Sequence, residues 1–168
     1  DRIVSFSPEN IELQHILDHL NILDSTYYFK IVDELIADNF SNLILIFNEI
    51  LNNGFDGNDF INGLASHFRN LLMCQKSETV NLLESTDEQR EKYLTQSKDL
   101  DSNLILQALI LCNECDLQYK VAKNQRLLVE LCLIRICSIG KDYNEKKNSK
   151  TFVDPQINRN KKDNKKLI

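Results

Sequence analysis

Residues 124–138, NQRLLVELCLIRICS, constrain the fold more than any other stretch of the chain. Set on a helix at about 100° per residue from Leu127, the side chains of Ile134 and Leu131 fall at about 0°, Leu128 and Cys132 at about 120°, Ile136 and Val129 at about 190°, and Leu133 and Cys137 at about 260°. No polar half remains. A surface helix of a globular protein keeps one, so this helix needs cover from most sides, from its own chain or from another.

Helical periodicity elsewhere supplies candidates for that cover. Four Gly and two Pro in 168 residues leave too little turn chemistry for an all-β architecture, and 42% hydrophobic with 27% charged residues suits a globular domain. Ser7-Pro8 reads as a cap and first helical position for a stripe of Ile11, Ile16, Leu17 and Leu20. Asp24 to Thr26 open YYFKIVDELIADN, and Ser41 opens a helix through Ile46 and Ile50 that stops at Asn53-Gly54. After FDGND, the spacing of Phe60, Leu64, Phe68 and Leu71 predicts a helix to about Gln75. Ser85-Thr86 before Glu88 and Gln89 is a capping-box pattern opening a peripheral helix whose apolar content is Tyr93 and Leu94. Asp101 or Ser102 caps a long helix to about Tyr119, and after a break at VAKN the apolar helix runs to near Gly140. The fold class is therefore all-α, a helical bundle of about six helices over 23–140. Residues 141–168 form a basic linker or tail with a Lys/Asn bias and no period.

Charge follows the same division. Residues 141–168 hold nine of the 20 Lys and Arg and four of the 25 Asp and Glu, a balance of +5 against −10 for residues 1–139. An acidic body is a poor phosphate-binding surface, so nucleic-acid contact would fall to the tail. Five cysteines, an odd number lying on helical stretches, argue against a disulfide framework and for a reducing compartment. The sequence contains no apolar run near the roughly 20 residues of a membrane span, and DRIVSFSPE lacks the layout of a signal peptide, so the chain reads as cut from a longer one.

Chemistry-bearing constellations are sparse. The glycines form neither GxxxxGK[ST] nor GxGxxG, so a phosphate-cradling loop is not expected. Cys112 and Cys115 form a CxxC, and His15 and His19 stand four apart, but neither pair has further ligands at metal spacing, so no metal site is expected. His67, on the edge of the Phe60/Leu64/Phe68 face, reads as an interface or partly buried histidine. Arg126 and Glu130 can pair along the last helix, and Arg135, in apolar surroundings at about 80° on the wheel, must find a carboxylate or reach solvent. That carboxylate would come from its own chain or from across a subunit boundary.

Two segments together carry a resemblance. GFDGNDFINGLASHFRNLLMCQ (54–75) resembles the pattern G-x-D-x-x-x-F-x-x-x-L-x-x-H-x-R-x-L-L of the bacterial DNA polymerase III gamma/tau family, and NQRLLVELCLIRI (124–136) resembles its later R-L-x-x-E-[LI]-x-L-[LI]-[RK]-[LI] segment. NIELQHILDHLNIL is similar to the end of that family's AAA+ lid, and the resemblance spans about residues 1–140. Asn124-Gln125-Arg126 stands where Asn-Pro-Arg is common in the family, a change that bears only on how sharply the last helix starts.

The resemblance implies a lid remnant at 1–22 and a collar domain at 23–140 through which clamp-loader subunits form a ring that loads the sliding clamp on DNA. The family's ATP site, zinc-binding cysteines and arginine finger correspond to positions upstream of Asp1, so no catalytic, cofactor-binding or metal residue is expected here. It also implies other gamma/tau copies, delta and delta-prime as partners, DNA met only through the whole assembly, and a bacterial cytoplasmic location. Candidate interface residues are Phe68, Arg69, Arg126, Glu130 and Arg135. A different class of reading is a stand-alone helical nucleic-acid-binding module that uses the basic tail, with steeply salt-dependent DNA binding lost on removal of residues 141–168.

Overall fold

The structure is a computed structural model that describes residues 23–151, with side chains described as far as Lys141. The expected helix ending near Leu20, the lid remnant at 1–22, His15, His19 and residues 152–168 lie outside the described residues.

Every described element is a helix: α1 (Ser25–Ile36), α2 (Phe40–Asn52), α3 (Gly57–Cys74), α4 (Ser77–Val80), α5 (Asp87–Ser97), α6 (Ser102–Tyr119) and α7 (Gln125–Thr151). Six of these correspond to the expected helices of the bundle, and α4 adds a single turn around Val80. Their starts follow from short polar side chains that accept the first free backbone N–H groups, which have no partner inside the helix. Asp24 accepts from Thr26 N at 2.8 Å, Asp56 from Asn58 N at 2.7 Å and Asp101 from Asn103 N at 2.9 Å. Thr86 and Gln89 close the reciprocal capping box foreseen from the sequence. At α2 the cap is Asn39 rather than the expected Ser41, because Asn39 Oδ1 accepts from Asn42 N at 3.3 Å and starts the helix at Phe40. Gly54, at φ 86°, turns the chain out of α2, a left-handed conformation that glycine adopts without a Cβ clash.

The helices gather around α3 and α6, which pack against each other; α5 lies on α3, and α7 lies on α6 and reaches α1, α2 and α3. Phe47, Phe60, Phe68, Ile31, Leu64, Leu71 and Leu133 are fully buried between them. Phe60 stacks on Tyr28 with centroids 6.1 Å apart and meets Phe47 at 5.1 Å. Burying each such side chain contributes about 1.5–3 kcal/mol, which holds six amphipathic helices of ordinary propensity in one bundle.

The last helix departs from expectation. It runs through Gly140 to Thr151 instead of stopping, so residues 141–151 are helical. A glycine inside a helix costs only about 1 kcal/mol relative to alanine, and no proline follows until Pro155. Gly140 is buried, and a Cβ added there would meet the Leu35 carbonyl oxygen at 3.5 Å, ordinary van der Waals contact. Gly140→Ala is therefore expected to raise stability by about 0.5–1 kcal/mol, chiefly by restricting the unfolded chain. Urea unfolding checks this, and a loss of stability would show that the Leu35 contact does not accommodate a methyl group.

Candidate functional site

The cover for α7 proves to be one-sided. Val129, Cys132, Leu133, Ile136 and Cys137 are buried, whereas Leu127 and Leu131 are each 47% exposed and Ile134 is exposed with them. On the helical wheel the covered arc lies opposite Leu127, and the stripe at about 0° is open. Neighbouring α6 repeats the arrangement. It turns Ile105, Ala108, Leu111, Cys112 and Cys115 inward and leaves Leu106, Ile110 and, at 72%, Leu117 exposed.

These two stripes belong to one face. Residues 120–124 turn α6 back along α7, and Cys132 Sγ reaches the Leu111 carbonyl oxygen at 3.5 Å across the buried seam. Arg135 Nη1 donates to Glu114 Oε2 at 3.0 Å over the outer edge of that seam. Glu114 and Arg135 sit between the inward residues and the open stripes of their own helices, so the ion pair marks the side on which both stripes emerge. Several large apolar side chains left open together, bordered by charge, are the mark of an interaction surface rather than of scattered surface leucines.

The five candidate residues separate on this geometry. Arg126 pairs with Glu130 at 2.8 Å, as the four-residue spacing predicts, and also donates to Asn48 Oδ1 at 3.1 Å, tying α7 to α2. Arg135 resolves its apolar surroundings by pairing inside its own chain while its side chain stays 60% exposed. Exposed pairs of this kind contribute about 0–1 kcal/mol, so they orient more than they hold. Arg69 is exposed on α3 and makes no hydrogen bond or ion pair among the described residues. Phe68 offers no surface: its ring is 2% exposed within the core. The open residues Leu106, Ile110, Leu117, Leu127, Leu131 and Ile134 were absent from the sequence-based set. The wheel displayed three of them as a stripe, but periodicity alone cannot say which arc of an all-round apolar helix its own chain covers.

His67 is not partly buried but enclosed, at 1% exposure. Its Nε2 lies 2.9 Å from Gln96 Oε1, and Gln96 Nε2 in turn donates to the Phe29 carbonyl oxygen at 2.9 Å and to Asp33 Oδ1 at 2.6 Å. Because Gln96 Oε1 only accepts, Nε2 carries the hydrogen, and Nδ1 is an acceptor without a partner among the described residues. Phe29 meets the ring edge-on at 4.5 Å and Tyr93 lies at 4.8 Å. Desolvation in this cage lowers the His67 pKa to about 4, so at neutral pH the ring is uncharged. Helix α5, expected to be peripheral, thus contributes Tyr93 and Gln96 to the interior.

The cysteines are packing groups. All five are free thiols and buried. Hydrogen bonding with Cys112 pushes Cys132 up to about 12, and hydrogen bonding with Cys132 together with burial raises Cys115. A thiol held this far above neutrality supplies little thiolate for nucleophilic or redox chemistry. Among the described residues no group of three or more His, Cys, Asp or Glu is arranged to hold a metal ion, and no helix is long and apolar enough to cross a membrane.

The family model described as DNA polymerase III subunits gamma and tau domain III matches residues 11–151, ending where α7 ends. No curated protein matches the chain.

Proposed function

The chain belongs to the family of DNA polymerase III subunits gamma and tau domain III, and from that premise we propose that its open α6–α7 face joins it to neighbouring subunits of a clamp loader. The observation that carries the reading is the pair of exposed apolar stripes, Leu127, Leu131 and Ile134 beside Leu106, Ile110 and Leu117. A partner helix laid along them would complete the cover that α7 lacks, making the helix core on one side and interface on the other. The partners are other gamma/tau copies, delta and delta-prime, and the role is mechanical: the domains hold a ring together while ATP-driven parts of the assembly load the sliding clamp on DNA. Residues 1–22, in this reading, are the end of an AAA+ lid.

Leu131 is the residue to test. It is half-exposed and makes no polar contact, so Leu131→Glu leaves the fold nearly unchanged while placing a carboxylate in the centre of the proposed contact. Sedimentation of the full chain, alone and with delta and delta-prime, is expected to show assembly weakened at least about tenfold. Arg135→Glu is expected to act in the same direction, but it also sets two carboxylates against each other at Glu114, so its effect mixes interface with hairpin. Assembly by Leu131→Glu indistinguishable from wild type would remove the α6–α7 face from the interface.

A further inference from the structure

Helix α1 ends in a turn where glycine would be the easiest residue to place, and the chain has an aspartate there. Asn39 N donates to the Glu34 carbonyl oxygen at 3.0 Å, and Asp38 between Ala37 and Asn39 adopts φ 54°, the left-handed position of a Schellman turn. Glycine takes this conformation without a Cβ clash, whereas any other residue is strained in it. Strain retained at one position directs attention to what its side chain does.

Both carboxylate oxygens of Asp38 are engaged by α7. Cys137 Sγ donates to Oδ1 at 3.4 Å, and Lys141 Nζ pairs with Oδ2 at 3.7 Å. Burial and the hydrogen bond to Asp38 push the Cys137 thiol up to about 11, so it remains a donor at neutral pH. Cys137 and Lys141 stand four apart on one face of α7, and Gly140 lies between them. One carboxylate therefore spans the turn that contains the glycine.

That turn is the weak point of the helix. A Cβ at Gly140 would make only ordinary contact, so packing does not call for glycine, and glycine lowers helix stability where it sits. Among the described side chains, burial along α7 ends at Gly140. Residues 141–151 are fewer than the roughly 12–15 that a free helix needs in water, and Asp142, Asn144, Asn148, Ser149 and Thr151 are weak helix formers. Their helix is inherited from the anchored part of α7 across the glycine.

We infer that the Asp38 carboxylate is a clamp that keeps α7 helical across Gly140, so that residues 141–151 form a rigid arm while the clamp is closed and a flexible one when it opens. The outer half of the clamp faces solvent, with the Lys141 and Asp38 side chains 58% and 41% exposed, and the inner half at Cys137 is buried. Asp38 acts here as a positioning residue for the arm, at a site separate from the α6–α7 face.

NMR of the full chain tests this, reading Cα secondary shifts and amide exchange of residues 142–150 beside urea unfolding of the bundle. Asp38→Gly suits the backbone of the turn and removes the carboxylate. The ratio of helical to open arm is expected to fall about threefold to fivefold while bundle stability stays level or rises. Lys141→Gln, which opens only the outer half, is expected to act in the same direction with a smaller fall. Gly140→Ala placed in Asp38→Gly is expected to restore the arm, because the joint no longer needs holding. An arm in Asp38→Gly as helical as in wild type overturns the proposal, and so does a loss confined to bundle stability, which would make Asp38 a brace between α1 and α7. Failure of Gly140→Ala to restore the arm also overturns it, by placing the weakness elsewhere. Should Asp38→Gly fold poorly, Lys141→Gln decides, with an unchanged arm counting against the clamp.

Discussion

Replacing Phe68 by alanine is expected to cost about 3–5 kcal/mol, enough to unfold a domain of ordinary stability at moderate temperature. The ring is 2% exposed and borders a cavity of only about 20 Å³ with Val32, Leu35, Leu104 and Ile136, so truncation leaves a void between helices that already meet closely. As a motif position Phe68 drew attention as a contact residue, and the two roles separate cleanly in experiment. Urea unfolding of Phe68→Ala should show the full loss, whereas Leu131→Ala, at an exposed position, should change stability by no more than about 0.5 kcal/mol. Stability within about 1 kcal/mol of wild type for Phe68→Ala, accompanied by weaker assembly, would return the ring to the surface and sink the core assignment.

Acid is expected to destabilise the protein through His67. In the unfolded chain the imidazole titrates near 6.5, whereas in the fold burial holds it down at about 4. Between these values the unfolded state binds a proton that the folded state refuses, so protonation draws the equilibrium toward unfolding. The contribution of the neutral ring is present in full above about pH 6.5 and is lost as pH falls toward 4, amounting to about 3 kcal/mol. His67→Gln keeps a polar group of similar reach that does not titrate. Measured by urea unfolding, the stability difference between wild type and His67→Gln should shift by about that amount between pH 7 and pH 4, because carboxylates common to both cancel. A difference independent of pH would mean that the ring is hydrated and charged in the fold.

Local features of the bundle were legible in the residues. Asp24, Thr86 and Asp101 announce helix starts because the bond that caps a helix spans only two or three residues, and Asn53-Gly54 announces an end for a similarly local reason. The Arg126–Glu130 pair follows from a spacing of four within one helix. Contacts set by distant parts of the chain were less legible. Gln96 sits three residues beyond Tyr93 on the same face of α5, but nothing nearby in sequence says that His67, 29 positions away, awaits its amide. The open arc of α7 is likewise decided by where α1, α2, α3 and α6 come to rest. Gly140 misled in the opposite sense, because a residue that often ends helices can also lie inside one at a cost of only about 1 kcal/mol relative to alanine.

The continuity of α7 through Gly140 makes the helix a lever. Its inner half is gripped by four other helices, while residues 141–151 extend it by about 16 Å at the usual rise per residue. With no hinge at Gly140, a force on the far end is transmitted along an unbroken ladder of backbone hydrogen bonds into the bundle. A tilt of about 10° about Gly140 displaces Thr151 by about 3 Å, and the opposing torque falls first on Ile136, Leu133 and Val129, whose other side carries the open stripe. A load borne along this helix is thereby felt at the open α6–α7 face proposed for subunit contact.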